Sequence, residues 1–209
     1  MPFVRVRHLP IIAVLAAAAF ASPSRADTAV PAALTPAEQG WVERVQTALD
    51  QTTTLKARFL QIAPDGATTQ GTAWLDRPGR MRFEYDKPSP LLLVANHGQV
   101  VFRDRKLDQV TTIPLSRTPL GLLLAPSVRL SGDVTVTGFT EQNGQLQITL
   151  ERTAAPGDGS LTLIYSERPF MLRSWSVLDA QGRDTRVDLY DPVSGGSFPA
   201  SLFDVQTNG

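Results

Sequence analysis

Two kinds of hydrophobic rhythm divide the chain. Between residues 36 and 51, Trp41, Val42, Val45, Ala48 and Leu49 recur at helical spacing and make one apolar stripe. Thr35 can cap this helix, Pro36 suits its first turn, and Glu38 stands three residues after the cap, as in a capping box. Thr52-Thr53-Thr54 is β-branched and ends it. From there the period changes to two. Met81-Arg82-Phe83-Glu84-Tyr85 and Leu146-Gln147-Ile148-Thr149-Leu150 alternate strictly, as half-buried strands do. Further strands are expected over 55–63, 71–75, 91–95, 99–103, 107–113, 134–139, 161–165, 170–178 and 186–190. Turn residues such as Arg77-Pro78-Gly79, Asn96-His97-Gly98, Asn143-Gly144 and Gln181-Gly182 separate them, so consecutive strands should be antiparallel neighbours in a meander of about eleven.

One stretch breaks the rhythm. Within 114–132, Pro119 can start and Pro126 end a short helix built of Leu120, Leu122, Leu123 and Leu124. A very apolar helix inside a meander must cover something, and a curled sheet leaves a concave apolar face. The expected fold is mostly β (α+β), a half-open antiparallel barrel with the Trp41 and Leu120 helices as its lid.

The N-terminal end adds a compartment. Arg5, Arg7 and His8 precede an apolar run over 11–21 that is too short to span a bilayer, and Ser24-Arg25-Ala26 offers small residues to a signal peptidase. Residues 1–26 therefore read as a cleaved signal peptide, with an uncleaved membrane anchor as the alternative, 27–34 as a mobile leader and 35–205 as one domain. Cleavage would remove Arg5, Arg7 and Arg25, leaving 17 basic residues against 20 acidic ones. That balance does not favour nucleic acid, which selects basic surfaces. The chain contains no cysteine, which excludes disulfides, thiolate metal sites, cysteine nucleophiles and an acylated N-terminal cysteine.

Chemistry is hard to find. His97, the one histidine outside the signal segment, falls in a turn and has no companions for a metal. No G-x-S-x-G elbow, phosphate loop or dinucleotide fingerprint occurs. Glu84 and Asp86 with Arg82 read as a solvated face with ion pairs, and Asp65 and Asp158 as turn residues. An exported chain with an apolar concavity and no catalytic set reads as a binder rather than an enzyme. No cofactor or metal is implied.

Phe59-Leu60-Gln61, then 71–85 with its Arg77-Pro78-Gly79 turn, then the hairpin 94–102, Leu107-Asp108-Gln109-Val110-Thr111 and the closing Ala200-Ser201-Leu202-Phe203 together resemble the LolA family of lipoprotein carriers. The resemblance implies a periplasmic monomer that takes acylated lipoproteins from an ATP-driven LolCDE-type transporter and passes them to a LolB-type acceptor at the outer membrane. It also implies that Arg77 closes the lid by hydrogen bonding to lid carbonyls; a plain surface-turn arginine is the alternative. Guanidinium chemistry suits that role, since its rigid fork of donors cannot be neutralised. Trp74, Met81, Phe83, Leu92, Val94 and Val101 are the candidates for lining the groove, each with ordinary core as the alternative. Leu120, Leu122 and Leu123 are those for the lid, and 117–119 is either its hinge or a loop. Arg80 and Arg82 flank the turn where many members carry uncharged residues. Carriage of another lipid or a glycolipid, and a hydrolase with an unrecognised site, remain as other readings.

Overall fold

The computed structural model describes residues 28–205; the expected signal peptide lies outside them. Helix α1 (Pro36–Gln51) begins with the full capping box: the Glu38 N–H donates to Thr35 Oγ1 at 3.3 Å, and the Thr35 N–H donates to Glu38 Oε2 at 2.7 Å. Val45 and Leu49 are its buried face. At its end the Thr52 N–H and hydroxyl both turn back to Ala48, so the Thr52 carbonyl faces outward, unclaimed by the helix.

Eleven strands follow: β1 (Thr54–Ile62), β2 (Thr68–Asp76), β3 (Arg80–Tyr85), β4 (Leu91–Asn96), β5 (Gln99–Asp104), β6 (Gln109–Pro114), β7 (Val134–Gln142), β8 (Gln145–Arg152), β9 (Gly159–Glu167), β10 (Phe170–Asp179) and β11 (Asp184–Ser194). They form one antiparallel sheet in the order β6-β5-β4-β3-β2-β1-β11-β10-β9-β8-β7. Two meanders are thus joined back to back by β1 and β11, with Phe59 opposite Leu189 and Gln61 opposite Val187. Bulges in β11, β7 and β10 add local twist, which curls the sheet. The curl does not close, because β6 and β7 stay apart as edges.

The segment between those edges carries a 3-10 turn (Leu115–Arg117) and the one-turn helix α2 (Leu120–Leu123), shorter than its apolar run suggests. Leu122, Leu123 and Leu124 sink into the concave core together with α1. A smaller cluster occupies the opposite, convex face: Leu92, Val94 and Phe203, with Trp74 and Leu202 against them. It is covered by the 3-10 turn Ala200–Phe203. Arg82 Nη1 donates to the Leu202 carbonyl at 3.2 Å, Asn96 Nδ2 to that of Phe203 at 3.1 Å, and Arg80 lies 5.3 Å over the Phe203 ring. The two unusual arginines beside the Arg77 turn therefore fasten the C-terminal segment.

Residues 28–34, the expected leader, touch the sheet and the residue just after β8. Ala29 and Ala32 donate to the carbonyls of Thr153 and Val136 at 3.0 and 2.9 Å, and Ala29 is buried. An edge strand offers unpaired backbone groups, and Ala32 satisfies one of those on β7, the Val136 carbonyl. No helix among the described residues is long and apolar enough to cross a membrane.

Candidate functional site

The concave face is floored by aromatic rings. Phe59 packs on Phe83 at 4.6 Å and edge-on to Tyr85 at 5.3 Å, and Phe83 meets Trp175 at 6.0 Å. Above this floor an apolar groove of about 470 Å³ opens between the two sheet halves. Met81, Phe83, Leu93 and Val100 form one wall, Trp175, Val177 and Val187 the other, and Pro119 and Leu120 the roof. Its rim is polar, with Arg117, Asp158, Asp179 and Arg183. A second cavity of about 280 Å³ lies under α1, among Leu49, Leu55, Leu123, Tyr165 and Phe170, with Arg77 on its wall.

The roof is fixed by the β2–β3 turn. Arg77 Nε donates to the Thr52 carbonyl at 3.0 Å, Nη2 donates to the same oxygen, and the Arg77 backbone N–H donates to Thr53 at 2.8 Å. A cation thereby meets the free carbonyl at the negative end of α1. Burial lowers the Arg77 pKa, against the attraction of Asp50 and of Tyr165. Two residues on, the Gly79 N–H donates to the Leu124 carbonyl at 2.9 Å, so one turn grips the ends of both helices. Gly79 has φ +75°, a left-handed conformation that glycine adopts without strain. Asp50 and Gln46 of α1 accept from the N–H groups of Val128 and Leu130, both at 3.0 Å, tying the two helices into a single roof.

A second arginine touches the roof from the other sheet half. Arg152, at the end of β8, donates through Nη2 to the Thr118 carbonyl at 3.1 Å, and its Nε lies 3.8 Å from Asp158 Oδ2. Nothing in the spacing of the sequence points to Arg152, because its partner lies 34 residues away across the open side.

Of the groove candidates, the structure brings Met81 and Phe83 together on the concave face and places Trp74, Leu92, Val94 and Val101 on the convex one. The reason is parity. Val94 pairs with Arg82 and with Val101, while Leu93 pairs with Phe83, so the two sets point to opposite faces. The run Leu91-Leu92-Leu93-Val94-Ala95 is apolar on both faces because both are covered, which hides the parity from the sequence. Tyr85, Leu93, Val100, Trp175, Val177 and Val187 are groove residues that the pattern did not single out. Leu120 is half-buried at the groove roof; Leu122 and Leu123 are buried beneath it.

Residues 50–206 match the family model described as outer membrane lipoprotein carrier protein LolA. The chain belongs to the LolA family. An outer-membrane lipoprotein carrier protein of Azotobacter vinelandii is 30% identical, over 85% of this chain and 90% of its own length. One of Pseudomonas paraeruginosa is 36% identical, over 78% and 81%. A solved LolA superfamily structure from Nitrosomonas europaea is 10% identical with a TM-score of 0.41, over 78% of this chain and 96% of that one. The family match spans the last two residues of α1, the whole sheet, α2 and the Arg77 turn, so the latch that Arg77 makes with the Thr52 carbonyl lies inside the LolA region.

Proposed function

We propose that this LolA-family protein is a periplasmic carrier that binds the acyl chains of lipoproteins released from the inner membrane and takes them to the outer membrane. The observation that carries the reading is the apolar groove under a roof held by arginine hydrogen bonds. Water rejects acyl chains at about 0.8 kcal/mol per methylene. A carrier must shelter them without becoming a permanent sink. A roof that has to be lifted subtracts its opening cost from the affinity. Hydrogen bonds to a charged donor, each about 1.5–3 kcal/mol, are on the right scale for that cost. Loading from a LolCDE-type transporter and delivery to a LolB-type acceptor complete the route, and no catalytic step is needed.

The test is to express the full chain with a triacylated lipoprotein, purify the mature protein from the periplasm and identify what is bound by mass spectrometry. Co-purified lipoprotein is expected, and its loss in Leu120→Glu, a half-buried roof position where a charge leaves the core intact. Another lipid in its place would move the function to a different cargo. For the latch, Arg77→Leu is expected to weaken closure and change both uptake from spheroplasts and onward delivery. Wild-type rates in both steps would rule out a gating role for Arg77.

A further inference from the structure

The roof is held at its two ends in different ways. At the Leu124 end its fixings are the Gly79 N–H and, through α1, the Arg77 guanidinium; both come from one hairpin turn. When that turn lets go, Leu124 stays coupled to α1 through Val128 and Leu130, so this end can move with the helix. The Thr118 end is stitched to the body of the sheet. The Leu115 N–H donates to the Gly98 carbonyl in the β4–β5 turn at 2.8 Å. Thr118 returns its own N–H and hydroxyl to Leu115 at 3.1 and 3.0 Å. Its carbonyl accepts from Gly121 at 3.0 Å and from Arg152 Nη2 at 3.1 Å.

Arg152 matters most among these, because it belongs to the other half of the molecule. The segment 115–118 continues from edge strand β6, whereas Arg152 ends β8, the neighbour of edge strand β7. Its hydrogen bond to Thr118 spans the gap in the half-open barrel. Gly121 makes room for it: a Cβ there would stand 2.9 Å from Arg152 Nη2 and 2.7 Å from the Leu115 carbonyl oxygen. Asp158 steadies the guanidinium from the groove rim, with Oδ2 3.8 Å from Nε.

We propose that Arg152, positioned by Asp158, is the hinge pin of the roof: α2 pivots at Thr118 while the Leu124 end lifts. Arg152 thus acts as a positioning residue for carriage, setting where the groove opens and how wide its mouth stands. The idea rests on the reading that the roof opens for cargo, but its test has an arm that needs no cargo.

Amide hydrogen exchange reads the two ends separately, at the Gly121 N–H bonded to Thr118 and the Gly79 N–H bonded to Leu124. In Arg77→Leu, Gly79 should lose protection by about tenfold or more, as expected for loss of a charged hydrogen bond, with Gly121 unchanged. Arg152→Gln should do the reverse, and Arg152→Lys, which keeps a cationic donor, should restore much of the Gly121 protection. Asp158→Asn should weaken it less than Arg152→Gln. Loading the wild type with lipoprotein should expose Gly79 and spare Gly121. Equal loss at both amides in Arg77→Leu would mean that the roof lifts as one body and Arg152 is no hinge. Full Gly121 protection in Arg152→Gln would equally overturn the assignment. If lipoprotein fails to bind at all, the carriage reading falls while the cargo-free arm still decides the hinge.

Discussion

A side chain at Gly71 would have nowhere to go. Its Cβ would stand 2.1 Å from the Glu84 carbonyl oxygen on β3 and 2.7 Å from the Phe59 ring, which lies across the glycine as part of the groove floor. Gly71→Ala must part β2 from β3 or lift Phe59, at about 3 kcal/mol. For a domain of this size the melting temperature should fall by roughly 6–12 °C; an unchanged value would mean that the strands sit farther apart than described.

Tyr85 supplies a different test. Burial raises its pKa to about 12, only partly offset by its hydrogen bond to Gln61, and burial raises that of Tyr165 as well. A tyrosine that holds its proton more tightly when folded stabilises fully below its unfolded pKa, near 10, and loses that contribution as pH climbs towards the folded value. Urea stability should therefore fall between about pH 10 and 12, by up to about 1.4 kcal/mol per unit for each tyrosine. Tyr85→Phe should show a shallower fall than wild type, and parallel slopes would remove Tyr85 as a cause. At this scale the sequence was readable where chemistry is local. The Thr35–Glu38 cap follows from spacing, and an arginine suited to helix-end carbonyls follows from the guanidinium. That Thr52 would be the carbonyl, or Arg152 a second donor, depends on distant contacts that no local pattern encodes.

Two strands announced themselves by strict alternation and the others by short apolar or β-branched runs between turn residues, which is why all eleven expected segments have a counterpart. The pairing of β1 with β11 was not legible, since it joins residues more than a hundred positions apart through backbone groups common to every residue. The bulges were hidden for a related reason: one extra residue in a strand leaves no mark in composition. Helix α1 has only its cap and its buried stripe to start it, and it carries half of the roof. Thr35→Ala removes the acceptor for the Glu38 N–H and should cost about 1 kcal/mol, read from denaturant unfolding. Thr35→Ser should restore it, because the hydroxyl is the working group. Equal loss in both variants would assign the effect to packing of the threonine methyl instead.

The whole molecule is a sheet with both faces apolar over β2–β4, one lining the open groove and the other sealed by the chain's own C-terminal turn. Hydrophobicity alone cannot tell a binding face from a packing face, and function should separate them. Val177 stands half-buried on the groove wall, and Val101 stands half-buried on the convex side, paired with Val94. Neither is sealed in, so a carboxylate at either position can reach water and the fold should survive both changes. On the proposed reading a carboxylate at 177 would sit where the acyl chains lie, and desolvating it would work against cargo binding. At position 101 it would meet only the outer surface. Val177→Glu should therefore lose bound lipoprotein by at least about tenfold, equivalent to one unpaired polar group kept from water, while Val101→Glu retains it. Retention by both would place the acyl chains outside the groove. Loss in Val101→Glu alone would turn the molecule inside out, making the C-terminal turn the lid and the Arg77 latch a purely structural clasp.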